Sequence, residues 1–227
     1  GTEGRMPYGK PSRGRQHRVL GDPPRKCQDN RFRCHVLPGG GPLISLTAPL
    51  SEKTVRDLSL GDVVYINGPV VTGRDDVHIR ALEYLDEGKP VPNCLEGAVV
   101  YHCGPIMRRM DSGRYSVVAA GPTTSARMNS LEPRFIREFG IRAIIGKGGM
   151  SQEVAEAMKE VGCVYLAATG GAAVSLAEGL STVTGSEWED LGMPETMWKF
   201  ETNRLGPLVV AMDSKGNSLY EQVRNGL

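Results

Sequence analysis

Three places in this chain share one arrangement. Val70-Val71-Thr72-Gly73 leads to Arg74, Val117-Val118-Ala119-Ala120-Gly121-Pro122 leads to Thr123 and Arg127, and Ile144-Ile145-Gly146 leads to Lys147. In each, an apolar strand-like run stops at glycine and a cation follows within about one turn. A helix N-terminus carries partial positive charge and free N–H groups, so it favours anions over cations. Basic side chains there make sense if an anion sits among them, and in open α/β sheets ligands gather beyond the carboxyl ends of the strands. Two guanidiniums and one ammonium suit a small dianion, each arginine gripping one carboxylate through two N–H groups. Thr123 and Arg127 are four residues apart, so on a helix they would share a face and set one hydroxyl beside the clamp.

The elements that must hold these residues follow from periodicity. Leu43–Thr47 has a strand pattern, and Ser51 can cap a short helix through Leu58. Val63–Ile66 and Val70–Thr72 look like two strands separated by a turn at Asn67-Gly68-Pro69. A helix is expected from Arg74 to Glu87, with Val77, Ala81, Leu82 and Leu85 on its apolar face. Ala98–His102 and Tyr115–Ala120 have the composition of buried strands. Ser130–Phe139 is expected to be helical, Arg142–Ile145 a strand, Gln152–Val161 a helix capped by Ser151, and Val164–Ala168 a strand. An Ala-rich helix follows Thr169-Gly170-Gly171. Strands are expected at Leu180–Val183, Met197–Glu201 and Leu208–Met212, and a last helix at Ser218–Arg224. The middle of the chain alternates strand and helix as βαβ units do, which makes this an α/β protein.

Other signals are weaker. Lys147 does not belong to a P-loop, because Gly148 stands where that motif needs a hydroxyl. Thr169-Gly170-Gly171 lacks the glycine order of a dinucleotide turn. Asp75 and Asp76 favour a helix N-terminus, and His78 lies one turn after Arg74, close enough to stand behind the same site. His102 and Cys103 precede Gly104-Pro105 and read as an ordinary turn. The five cysteines have no metal-ligand spacing, so no metal is assigned to this chain. Their odd number and irregular spacing argue against a disulfide framework and for a reducing cytoplasm.

The 227 residues carry a formal charge of +1, unevenly spread. Residues 1–42 hold nine Lys/Arg against three Asp/Glu, and the remainder hold 18 against 23. Residues 1–42 are thus a basic Gly/Pro/Arg-rich extension, expected to be flexible or irregular, and 43–227 form the globular domain. The mildly acidic body and the lack of an aromatic stacking platform disfavour nucleic acid as a partner. No apolar run approaches membrane-spanning length.

The runs Gly73-Arg74-Asp75-x-x-His78, Gly121-Pro122-Thr123-Thr124-Ser125-Ala126-Arg127-Met128 and Gly146-Lys147-Gly148-Gly149-Met150 resemble the C-terminal domain, or separate β subunit, of class I iron–sulfur fumarate hydratases and L-tartrate dehydratases. The resemblance spans roughly 43–227 and leaves the leader outside. It implies a mixed-sheet swivelling β/β/α domain and reversible hydration of a four-carbon dicarboxylate, fumarate/L-malate first and L-tartrate to oxaloacetate next. It implies that Arg74, Thr124, Ser125, Ala126, Arg127 and Lys147 bind substrate, that Thr123 handles the carbon-bound proton, and that His78 and Asp75 support them. It also implies a partner α subunit, as α2β2, which carries a four-iron–four-sulfur cluster that this chain does not bind. A non-catalytic dicarboxylate-binding regulatory domain is the alternative.

Overall fold

The computed structural model describes residues 33–36, 42–168 and 173–226. Most of the basic leader and the Thr169-Gly170-Gly171 turn lie outside the described residues. The leader segment 1–42 nevertheless contains a strand, β1 (Arg33–Val36), paired antiparallel with β2 (Pro42–Thr47). After helix α1 (Glu52–Arg56) come β3 (Val63–Thr72), α2 (Asp75–Asp86) and β4 (Val99–Tyr101). A hairpin, β5 (Ile106–Arg109) and β6 (Tyr115–Ala119), precedes α3 (Glu132–Phe139), β7 (Ala143–Gly146), α4 (Gln152–Val161) and β8 (Val164–Ala168). The chain ends with α5 (Ala173–Gly179), β9 (Thr182–Glu187), β10 (Met197–Met212) and α6 (Leu219–Arg224).

β3, β4, β7 and β8 are parallel neighbours. β10 runs antiparallel to both β8 and β3, so the pairings β3–β4–β7–β8–β10 form a closed circuit. The βαβ order expected for the middle of the chain is therefore present, with α2, α3 and α4 as the connecting helices. Alternation along each strand sorts the core into two clusters. Val99, Tyr101, Ala143, Ile145 and Leu166 pack with α1 and α5 residues Val55 and Leu176. Val100, Ile144 and Tyr165 point the other way, against Val77 of α2, Phe135 of α3 and Met158 of α4.

Two expected breaks are not breaks. Asn67-Gly68-Pro69 lies inside the unbroken β3. One edge of β3 pairs with β2 up to Asn67 and with β4 from Val71, so Pro69 sits where the neighbour changes. Its missing N–H is not needed there. Gly68 takes φ +89°, and a Cβ there would stand 2.6 Å from the Ala48 carbonyl oxygen. The segment between Met197–Glu201 and Leu208–Met212 likewise belongs to one strand, interrupted in register on either side of Leu205. Bulges absorb Arg204 and Gly206-Pro207 without ending the strand. Tyr115–Ala120 is not a buried strand: among the described residues β6 pairs only with β5, and Val118 is exposed. Leu85, expected on the apolar face of α2, is partly exposed, while His78 is fully buried in its place. Ser51 caps α1 by accepting from the Thr54 N–H at 3.1 Å. Ser151 makes no side-chain cap; its own N–H donates to Asn129 Oδ1.

Candidate active site

The C-terminal ends of β3, β4 and β7 lie side by side, and the candidate residues cluster there. Arg74 leaves β3, His102 leaves β4 and Lys147 leaves β7. β6 is not in this sheet, but the segment after it crosses the three ends. Pro122 bridges Cys103, Thr124 bridges Lys147, and the Thr123 N–H donates to the His102 carbonyl at 2.7 Å. The Ser125 N–H donates to the Lys147 carbonyl at 3.1 Å. Residues 122–125 thus act as a short added strand between the exits of β4 and β7.

The crossing requires Gly146. A Cβ there would overlap Ser125 Oγ and stand 2.9 Å from the Tyr165 hydroxyl. Gly104 does the same for Arg74, since a Cβ would come within 2.6 Å of Nη1 and 2.9 Å of the Pro194 carbonyl.

Thr123 and Arg127 do not share a helix. Thr123 is extended, and a 3-10 turn begins only at Ser125 (Ser125–Met128). Backbone pairing across β4 and β7 holds Thr123 straight, which a four-residue spacing cannot foresee. Arg127 is placed instead by Asp75, whose Oδ2 lies 3.0 Å from Nη2. Arg74 is held by Glu195, 3.2 Å from its Nε, and the other Glu195 oxygen accepts the Asp76 N–H at 3.2 Å. One carboxylate therefore caps α2 and orients Arg74. Thr123 is half-buried, and Thr124, Ala126, Arg127 and Lys147 are exposed. Ser125 is buried with its hydroxyl turned inward, accepting from Tyr165 at 2.9 Å and contacting His102 Nδ1 at 2.9 Å.

Beneath this surface lies a fully buried group that sequence order hides. Glu132 Oε2 stands 3.1 Å from His78 Nε2 and 3.2 Å from His102 Nε2. Burial alone would push the Glu132 carboxyl up, but the two imidazoles outweigh it and hold the group down at about 2. Burial pulls both imidazoles down. For His78 the Glu132 carboxylate overcomes this and the net shift is upward; for His102 burial prevails and the net shift is downward. His78 does stand behind Arg74, since its Nδ1 meets the Arg74 carbonyl at 2.7 Å. His102 is not an ordinary turn residue, because the strand end carries it into this group. Neither Glu132 nor Glu195 has a local pattern that marks it.

Arg74 follows β3, Arg127 follows the added strand and Lys147 follows β7, in the order and spacing of the three motifs. The model for the family described as Fumarase C-terminus matches residues 35–223. This chain belongs to that family. It is 46% identical over 175 residues to a Methanocaldococcus jannaschii protein provisionally named L(+)-tartrate dehydratase subunit beta, covering 77% of this chain and 89% of that one. It is 36% identical over 174 residues to the Escherichia coli L(+)-tartrate dehydratase subunit beta, covering 77% and 85%. A Geobacillus stearothermophilus protein provisionally named fumarate hydratase class I is 46% identical over 182 residues, 80% of this chain but 34% of that longer one.

Cys94, Cys103 and Cys163 do not fit an iron–sulfur cluster among themselves. Cys103 follows the C-terminal end of β4, whereas Cys163 precedes the N-terminal end of β8 and Cys94 precedes β4. With β4, β7 and β8 parallel, Cys103 lies at the opposite end of the sheet from the other two. A cluster needs its thiolates together. Among the described residues, no helix is long and apolar enough to cross a membrane.

Proposed function

We propose that this chain is the β subunit of a cytoplasmic hydro-lyase that adds or removes water on a four-carbon dicarboxylate. Fumarate and L-malate are the favoured pair, and L-tartrate to oxaloacetate is the next. The observation that carries this reading is 46% identity over most of the chain to a protein provisionally named L(+)-tartrate dehydratase subunit beta, combined with the candidate residues at a single sheet end. The domain is of the swivelling β/β/α type, a reading that the mixed sheet with its closed strand circuit supports.

Arg74 and Arg127 each take one substrate carboxylate. Their carboxylate partners Glu195 and Asp75 hold the guanidiniums in advance, so less side-chain freedom is lost on binding. Lys147 adds a positive charge opposite them, and the backbone around Thr124, Ser125 and Ala126 lines the same rim. Thr123 exchanges the proton at the substrate carbon. A threonine hydroxyl is a poor base in water, and the positive field of Arg127 and Lys147 favours its alkoxide. The partner α subunit, in an α2β2 assembly, would hold a four-iron–four-sulfur cluster, which would supply Lewis-acid chemistry to the substrate that Arg74, Arg127 and Lys147 position.

The test is fumarate hydration and L-tartrate dehydration by this chain with and without its α partner, reconstituted anaerobically. Activity is expected only from the pair. Full activity of this chain alone would refute the two-chain reading. Dicarboxylate binding with no turnover alongside any α partner would favour a regulatory anion-binding domain.

A further inference from the structure

His78 lies in the first turn of α2, His102 directly follows β4, and Glu132 opens α3. All three are fully buried, and their ligand-type atoms lie within 4.8 Å of one another. The two Nε2 atoms stand 3.1 and 3.2 Å from Oε2. Neither contact has hydrogen-bond direction: both Nε2 atoms and both Glu132 oxygens lack a hydrogen-bond partner. Buried polar atoms are rarely left so, because nothing then replaces their lost hydration. Here four such atoms converge on one place.

The far edges of the rings decide what faces inward. The Arg74 carbonyl can only accept, so its 2.7 Å contact puts a proton on His78 Nδ1. A neutral His78 then offers a lone pair at Nε2. A proton on Nε2 would supply positive charge, but it would not point at Oε2. Ser125 Oγ accepts from the Tyr165 hydroxyl and can either donate its own proton to His102 Nδ1 or accept from Nδ1–H; the second arrangement turns a His102 Nε2 lone pair inward, as a metal ligand requires. In that arrangement two lone pairs and a carboxylate face one another, and a positive centre between them relieves their repulsion. A carbonyl or hydroxyl on the outer ring nitrogen is the usual support of a metal-ligating histidine.

We propose that His78 Nε2, His102 Nε2 and the Glu132 carboxylate form a closed site for a first-row divalent cation, zinc being the best suited. Ligand bonds of about 2.0–2.1 Å in a tetrahedron set neighbouring ligand atoms roughly 3.3 Å apart, close to the separations here. Both Glu132 oxygens are free of other partners, so a bidentate carboxylate completes four positions. Imidazole nitrogen favours zinc or ferrous iron over magnesium and calcium, which prefer oxygen. The site is sealed from solvent, so the ion is structural. It would pin the backbone of Arg74 and the Thr123–Ser125 segment to α3 from below. The inference does not depend on the proposed reaction.

The test uses the full chain without a partner. One equivalent of cobalt(II) is added to metal-stripped protein and the visible spectrum is read, followed by competition with zinc. Expected are one cobalt per chain, the d–d bands of a four-coordinate ion, and their loss when zinc is added. His102→Ala and Glu132→Gln should each lose the bands and the bound metal. A chelator should lower the melting temperature of the wild-type chain but not that of Glu132→Gln. If a variant does not fold, an anomalous-scattering map of zinc-soaked wild-type crystals is decisive, since a peak among the three side chains is required. No stoichiometric cobalt or zinc in the folded wild-type chain, or binding unchanged by both substitutions, overturns the proposal.

Discussion

The Asp75 carboxylate and the Arg127 guanidinium meet at 3.0 Å, which ties the first turn of α2 to the 3-10 turn after Thr123. The two residues are 52 positions apart in sequence, and their contact links the two segments that carry Arg74 and Arg127.

Arg127 is 53% exposed, so its pair with Asp75 contributes little to folding, at most about 1 kcal/mol. Asp75→Asn should therefore leave thermal stability nearly unchanged while raising the KM of the assembled enzyme several-fold, with kcat less affected. Arg127→Ala should cost roughly 3–5 kcal/mol in kcat/KM of the assembled enzyme, because a substrate carboxylate buried there would lose its partner. Steady-state kinetics on both variants checks this, and a near-normal kcat/KM for Arg127→Ala would remove that residue from the clamp.

Gly146→Ala should destabilise the chain through overlap alone, by about 1–3 kcal/mol. The added methyl overlaps Ser125 Oγ and crowds the Tyr165 hydroxyl. Relief requires moving residues 122–125 away from Lys147, so activity should fall further than stability does. Denaturant titration beside kinetics separates the two. A double variant, Gly146→Ala with Ser125→Ala, should recover part of the stability.

The β5–β6 hairpin leads directly into Thr123 and carries Ile106, 59% exposed, and Val118 on its outer face. Met107 and Val117, the alternate residues, turn toward the core. Exposed apolar side chains next to a proposed half-site suit contact with the α partner. Ile106→Asp should weaken association of the two chains at least tenfold, measured by titration calorimetry, and leave the melting temperature of this chain within a few degrees. Unchanged affinity would place the interface elsewhere.

Burial pushes the Cys103 thiol up to about 12 and raises Cys163 well above its ordinary value. Thiolate is the reactive form. At pH 8 the native chain should therefore resist iodoacetamide at Cys103 and Cys163 and accept it there only after unfolding. Peptide mass spectrometry of native and denatured samples reads this directly. Rapid native labelling of Cys163 would contradict its burial beneath α4.

The sequence by itself determined the βαβ order of the middle of the chain, the exit of each strand at a glycine, and the basic residue after each exit. These are local properties: hydrophobic period, turn chemistry and motif spacing act over a few residues. Strand continuity was not legible. Asn67-Gly68-Pro69 has the composition of a turn, and only the change of neighbour from β2 to β4 makes Pro69 harmless inside β3. The extended form of Thr123 was equally hidden, because it depends on pairing with the exits of β4 and β7. Glu195 and Glu132 had no local signal, yet one orients Arg74 and the other joins His78 to His102. Tertiary structure decided which carboxylate meets which cation and which polar groups are buried together, because Coulomb attraction and desolvation act through space and not along the chain.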